Sequence, residues 1–150
     1  MAIQDRILVV GATNRPQELD EAARRRFVKR LYIPLPEAAA RCNLLGRLLR
    51  KNQHNLSPQE IDTIVARTQG FSGADIRALC TEAAMGPIRE LSMGKDISSV
   101  NVNDVPAIRY CHFTDALASV RPSVSEKDLG SLQQWNDEFG SFKRAVEAVS

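Results

Sequence analysis

Asn14 lies just past a short apolar run and opens the loop Asn14-Arg15-Pro16, and three arginines then stand in a row at Arg24, Arg25 and Arg26. With Lys29 and Arg30 they place five cations within seven residues of chain. Taken alone, Asn14 reads as a turn residue, and the cations read as a solvated basic face or as a patch for the phosphates of a nucleic acid. Only Phe27 and Tyr32 offer aromatic rings for base stacking, so direct nucleic-acid binding is not expected. Farther along, Gln69-Gly70-Phe71-Ser72-Gly73 reads as a turn, and Gly73, followed by Ala74, taken alone is turn chemistry. Three well-separated cysteines (Cys42, Cys80, Cys111) and two histidines (His54, His112) contain no C-x-x-C pair, so no zinc site, and no metal site of any kind, is expected. No G-x-x-x-x-G-K-[ST] phosphate loop occurs, nor an apolar strand ending in an acidic pair.

The elements that would position these residues follow from patterning. The chain has 150 residues, 43% hydrophobic and 25% charged, with a net charge of +2, which suits one soluble globular domain or two small ones. Ile7-Leu8-Val9-Val10 is too short for a signal peptide or a membrane span. Unpaired cysteines suggest reduced thiols and an intracellular setting. The same run is rich in β-branched residues and predicts a strand covered on both faces. Asp20 predicts a cap for a helix from Glu21 to about Arg25, and the alternation of Val28 to Ile33 predicts a second strand, stopped by Pro34 and Pro36. From there the pattern is helical. Glu37 to Arg50 carries Leu44, Leu45, Leu48 and Leu49 on one face. Ser57-Pro58-Gln59-Glu60 is a capping box for a helix to about Thr68. Ser72 and Asp75 predict the start of a helix to about Leu91, striped by Ile76, Leu79, Cys80, Ala83, Ile88 and Leu91. Ser92 to Ala107 reads as a polar connection, Phe113 to Val120 as a further helix, and Ser125 to Asp128 as the cap of a last one with Leu129, Leu132, Trp135 and Phe139 inward. Ser141 to Val149 extends it as an amphipathic tail. The fold class is therefore an α/β fragment of two strands followed by an all-α part, divided as 1–36, 37–120 and 121–150.

Several of these segments, in this order, resemble the AAA ATPases. GATNRPQELDEAARRRF, GFSGADIRALCTEAA, GPIREL and WNDEFG are similar to motifs of the spastin, katanin and fidgetin clade. LYIPLPEAAAR and VRPSVSEKDL are most similar to its fidgetin-like branch, with spastin next. The resemblance implies that 1–36 is the C-terminal piece of a nucleotide-binding α/β subdomain, 37–120 a four-helix AAA lid and 121–150 a C-terminal helix and tail. It implies that Asn14 is the sensor-1 residue that places the attacking water. It implies that Arg25 and Arg26 are arginine fingers reaching the nucleotide of a neighbouring subunit, and that Gly73 and Ala74 begin a lid helix beside the nucleotide. Arg24 stands where the branch commonly has an apolar residue, which leaves open which two of the three arginines are the fingers.

By the same resemblance, the parent would be a homo-hexameric ATP hydrolase using ATP and Mg2+ to remodel or sever a protein polymer, microtubules above all, with no membrane partner. The phosphate loop, the acidic metal-binding pair and the substrate-gripping pore loops of the family lie upstream of the matching region, so this chain is expected not to turn over ATP by itself. Residues 1 to 36 are expected not to form a native sheet, because the strand that separates these two in the family is not among them. The alternative reading is a non-catalytic module that docks onto intact AAA subunits.

Overall fold

The protein is described here by a computed structural model over residues 7–92 and 105–141. Most of the connection expected over 92–107, and the tail expected from 142 on, lie outside the described residues. The chain divides into two compact units, Pro34–Glu126 and, separately, Met1–Ile33 with Lys127–Ser150.

The first of these units is helical. Glu60 begins its stabilisation: its Oε2 accepts from the Ser57 N–H at 2.8 Å while the Glu60 N–H donates to Ser57 Oγ at 3.3 Å, closing both ends of the box. We number its helices in chain order after a short first helix of the other unit, α1 (Glu21–Arg26). They are α2 (Ala38–Leu49), α3 (Pro58–Arg67), α4 (Gly73–Ser92) and α5 (Tyr110–Ser119). Helix α4 is the hub, packing on both α2 and α5. The shared core holds Leu45 and Leu49 of α2, Ile64 and Val65 of α3, Ile76, Leu79, Cys80 and Ala83 of α4, and Phe113 and Ala116 of α5. These are the apolar stripes that helical periodicity assigns. Ile88 and Leu91 are only half-buried, because Pro87 takes the inward position at that level of α4. Gly70, at φ +82°, makes the left-handed turn after α3 that a side chain would oppose.

Two details of this unit go beyond local pattern. Arg41 is buried, and its guanidinium donates to the carbonyls of Pro36 (2.9 Å) and Val65 (3.1 Å) and to Thr68 Oγ1 (3.3 Å). The cation thereby joins the Val65 carbonyl in the last turn of α3, where a positive charge is favoured, to the Pro36 carbonyl just before α2. Helix α5 begins at Tyr110 rather than Phe113, because the Arg109 N–H donates to His112 Nδ1 at 3.0 Å and so caps an earlier first turn.

The second unit contains α1 and α6 (Glu126–Phe139, within the unit from Lys127), preceded by a 3-10 turn at Pro16–Glu18. Asp20 caps α1 as the sequence predicts, its Oδ1 accepting from the Ala23 N–H at 2.6 Å. Trp135 and Phe139 of α6 pack ring on ring, centroids 5.4 Å apart and tilted by 46°.

Neither expected strand is formed. Among the described residues there is no sheet, only an isolated parallel bridge between His54 and Ile108 in the helical unit. Ile7, Leu8, Val9 and Val10 stand at least 67% exposed, and Val28, Leu31 and Ile33 at least 68%. A strand covered on both faces needs neighbours for its N–H and C=O groups and for its side chains. Neither run has a neighbouring strand among the described residues, so the apolar pattern is present and the sheet is not.

Candidate functional site

The sequence-predicted residues fall in both units. Asn14, Arg25 and Arg26 belong to the unit that carries α1, and Gly73 and Ala74 open α4 in the helical unit. Asn14 is exposed, immediately before the 3-10 turn, and its side chain makes no hydrogen bond among the described residues. The turn itself is braced by Arg15, which pairs with Glu18 at 3.0 Å.

The three arginines of α1 have different surroundings. Arg24 is half-buried; its Nη1 donates to the Leu19 carbonyl at 2.6 Å, and its guanidinium lies 5.1 Å from the centroid of the Phe139 ring. Arg25 points to solvent and pairs with Glu21 one turn back at 2.5 Å, with the two side chains 78% and 69% exposed. An exposed i,i+4 pair of this kind is worth only about 0.3–0.5 kcal/mol, so Arg25 is released at small cost. Arg26 is exposed and makes no ion pair or hydrogen bond among the described residues. Arg25 and Arg26 also line one shallow surface pocket together with Asp20, Glu21 and Ala22. Two guanidinium groups are thus presented outward from one short helix, and the third is held within its own unit.

Sequence reading missed the residue that organises this unit. Arg30 donates from Nη1 to the carbonyls of Arg24 (2.8 Å) and Phe27 (3.0 Å) and from Nε to the carbonyl of Phe139 (2.6 Å). Ser141 completes the join, accepting from the Arg30 N–H at 2.8 Å, donating from its own N–H to the Arg30 carbonyl at 3.0 Å, and donating from Oγ to the Val28 carbonyl at 3.1 Å. In sequence Arg30 is merely one more cation of the cluster; the only hint is an arginine placed shortly after a helix end.

At the start of α4, Ser72 and Asp75 form the predicted cap: the Ser72 N–H donates to Asp75 Oδ2 at 2.7 Å and the Asp75 N–H donates to Ser72 Oγ at 3.2 Å. The Ser123 N–H also reaches Asp75 Oδ2, at 3.3 Å. Burial pushes the Asp75 carboxyl up, but the hydrogen bonds from Ser72 and Ser123 together outweigh it and hold the group below its usual range. A Cβ on Gly73 would meet only Leu44 Cδ1, at 3.9 Å, so packing inside the unit does not demand glycine there.

One group of metal-type ligands exists among the described residues: Glu90, Cys111 and His112 offer ligand atoms within 4.8 Å of one another. Its geometry argues for a structural network. His112 Nδ1 accepts from the Arg109 N–H, which leaves the ring proton on Nε2, 3.0 Å from Glu90 Oε1. A metal at Nε2 would need the opposite tautomer. Arg109 Nη2 moreover donates to both Glu90 oxygens, at 2.6 and 2.7 Å. The His112 hydrogen bond, with Arg109 adding its own bond and charge, holds the Glu90 carboxyl below its usual range.

For ATP, the residues present fit part of a site. They supply outward guanidiniums suited to phosphate oxygens and a small-residue helix start. Among the described residues nothing beside Asn14 forms a carboxylate pair for Mg2+. No helix of the described residues is long and apolar enough to cross a membrane.

Comparison with known proteins agrees with the motif order. Residues 2–35 match the family model of the ATPases associated with various cellular activities (AAA), 59–103 that of the AAA+ lid domain, and 94–140 that of the Vps4 C-terminal oligomerisation domain. Fidgetin-like protein 1 of Xenopus laevis is 56% identical over 91% of this chain and 21% of its own length. Spastin of Naegleria gruberi is 45% identical over 95% of this chain and 27% of its own. The crystal structure of the FIGL-1 AAA domain superposes with a TM-score of 0.86 at 46% identity, covering 95% of this chain and 47% of that one. The chain thus spans about a fifth of the length of the fidgetin-like relative. Three family models that follow one another along the chain, a matching fold and motifs in the same order place it in one family: the chain belongs to the AAA ATPases, among relatives that are fidgetin-like proteins and spastin.

Proposed function

We propose that this chain carries the sensor and arginine-finger part of an ATP hydrolase that works as a homo-hexameric ring and remodels or severs a protein polymer, microtubules above all. Asn14 orients the attacking water in its own subunit. Arg25 and Arg26 reach the γ-phosphate of the neighbouring subunit, where a permanent, forked cation stabilises charge as the phosphoryl group moves. Gly73 and Ala74 leave room for the nucleotide base and ribose, and the helical lid, of which α4 is part, transmits the nucleotide state. ATP and Mg2+ supply the phosphoryl group and its counter-charge; their phosphate and metal ligands come from segments outside these 150 residues. Work on a cytoskeletal or nuclear polymer follows from the same reading, as does the division into an α/β piece (1–36), a lid (37–120) and a C-terminal helix (121–150).

The observation that carries the proposal is the division of labour on α1. Arg24 is bound to Leu19 and Phe139 within its unit, while Arg25 and Arg26 face outward. That supports Arg25 and Arg26 as the finger pair. In a chain that joins these residues to a phosphate loop, Arg26→Ala is expected to lower kcat by about 10³-fold, the scale of an arginine finger. ATP binding should be retained. The 150-residue chain alone should show no ATP turnover; turnover abolished by chelating magnesium would overturn that expectation.

The second reading, a non-catalytic module docking onto intact AAA subunits, is favoured by one observation: the uncovered apolar runs Ile7–Val10 and Val28, Leu31 and Ile33. Co-purification of the 150-residue chain with full-length subunits, lost when Leu8 and Val10 are changed to Ser, would support it.

A further inference from the structure

Helix α1 has six residues, too few to hold its shape by intrinsic propensity, so its position must come from tertiary contacts. Those contacts converge on the C-terminal end of α6. A helix leaves its last carbonyls unpaired, and a cation there is favoured by both hydrogen bonding and the helix dipole. Arg30 serves two helix ends at once: Nη1 binds the Arg24 and Phe27 carbonyls at the end of α1, and Nε binds the Phe139 carbonyl at the end of α6. Arg24 adds a second tie, from the body of α1 to the Phe139 ring. Ser141, two residues beyond α6, pairs with Arg30 through its main chain in one direction and its hydroxyl in the other.

We propose that Arg30 and Phe139 form a clamp that couples the end of α6 to α1 and thereby sets where Arg25 and Arg26 point. Arg30 is on this view a positioning residue, not a finger, and Arg24 belongs with it. The inference rests on the reading of Arg25 and Arg26 as fingers. Its consequence is regulatory: whatever binds or displaces the end of α6 changes the finger presentation, and so the activity of the neighbouring site, without touching nucleotide.

Hydrogen exchange on the 150-residue chain tests the clamp itself. Arg30→Gln removes the charge and the fork and leaves a shorter polar side chain. It should raise exchange of the amides of Arg24 to Phe27 on the order of tenfold, the loss expected when charged hydrogen bonds that hold a local element are removed. Exchange in α2 to α5 should be unchanged, which reports that the chain is still folded. Trp135, the single tryptophan, should shift its emission to the red as its contact with Phe139 loosens. Arg30→Lys, which keeps the charge without the fork, should fall between the two. Unaltered exchange in Arg30→Gln, or amides of α1 that are already unprotected in the parent chain, would overturn the clamp. In a chain that also has a phosphate loop, Arg30→Gln should lower kcat and leave the KM for ATP in place. If Arg30→Gln loosens α1 but Arg26→Ala leaves ATP turnover intact, the finger reading falls and the clamp stands. If Arg26→Ala abolishes turnover and Arg30→Gln changes neither exchange nor kcat, the clamp falls alone.

Discussion

Replacing Gly86 by Ala sets two physical effects against each other with opposite signs. Gly86 lies inside α4, where alanine is intrinsically the better helix former by about 1 kcal/mol. On propensity alone the variant is more stable. The structure says otherwise. A Cβ at Gly86 would lie 2.7 Å from both Cδ2 and Cγ of His112 and 2.9 Å from its Cβ. The obstacle is the base of a buried ring, not the far end of a flexible chain, and that ring is tied on one side to the Arg109 N–H and on the other to Glu90. Overpacking of this kind costs about 1–3 kcal/mol. Expelling the ring would instead forfeit its hydrogen bonds at about 1 kcal/mol each. Against the propensity gain, the net expectation is a loss of roughly 1 kcal/mol, a fall in Tm of about 5 °C for a unit of this size. Urea unfolding followed by far-UV circular dichroism measures it. Gly46→Ala is the internal control, since a Cβ there meets nothing within 4 Å, and it should raise stability by about 1 kcal/mol. In a His112→Ala background the Gly86→Ala change should become neutral or stabilising, because its obstacle is gone. A Gly86→Ala variant as stable as the parent, or more so, refutes the reasoning.

Other expectations follow from the buried ionisable groups. The Asp75 pKa is depressed in the folded chain, so its contribution is present above the ordinary carboxyl value of 3.8 and is lost as pH falls through the lowered one. Asp75→Asn should therefore cost about 2 kcal/mol at pH 6, with the gap to the parent closing as pH is taken below that range; a gap that does not change with pH would count against the assignment. Burial pushes the Cys80 thiol up to about 11, whereas Cys111 is exposed and Cys42 half-buried. Iodoacetamide at pH 8 should alkylate Cys111 first, Cys42 more slowly and Cys80 only on unfolding, as read by mass spectrometry. Cys80 labelling at the Cys111 rate would show that α4 does not pack as described.

Much of the fold was legible because its signals are local. The Asp20, Ser57 and Ser72/Asp75 caps act within a few residues, and the Leu45/Leu49 and Ile76/Leu79/Ala83 stripes repeat with the helical period, so patterning finds these elements and the core they share. The candidate residues Asn14, Arg25, Arg26, Gly73 and Ala74 came from motif order, a linear property too. Contacts between distant segments left no such trace. The early start of α5 depends on the ring of His112, and the role of Glu90 in GPIREL on Arg109 and His112, residues 19 and 22 positions away. The apolar alternation of Val28 to Ile33 states only that this run is able to be a strand; whether it is one depends on a partner strand, and none is found among the described residues.

By itself, then, the sequence determined the helices, their inward faces, the family and the presence of an arginine cluster, because helix formation and capping are governed by residues within about a turn of each other. Only the tertiary structure decided which arginines of that cluster face outward. Arg24, Arg25 and Arg26 are chemically identical, and what separates them is the Phe139 ring, brought beside Arg24 from more than a hundred residues along the chain, together with the Leu19 carbonyl that Arg24 also binds.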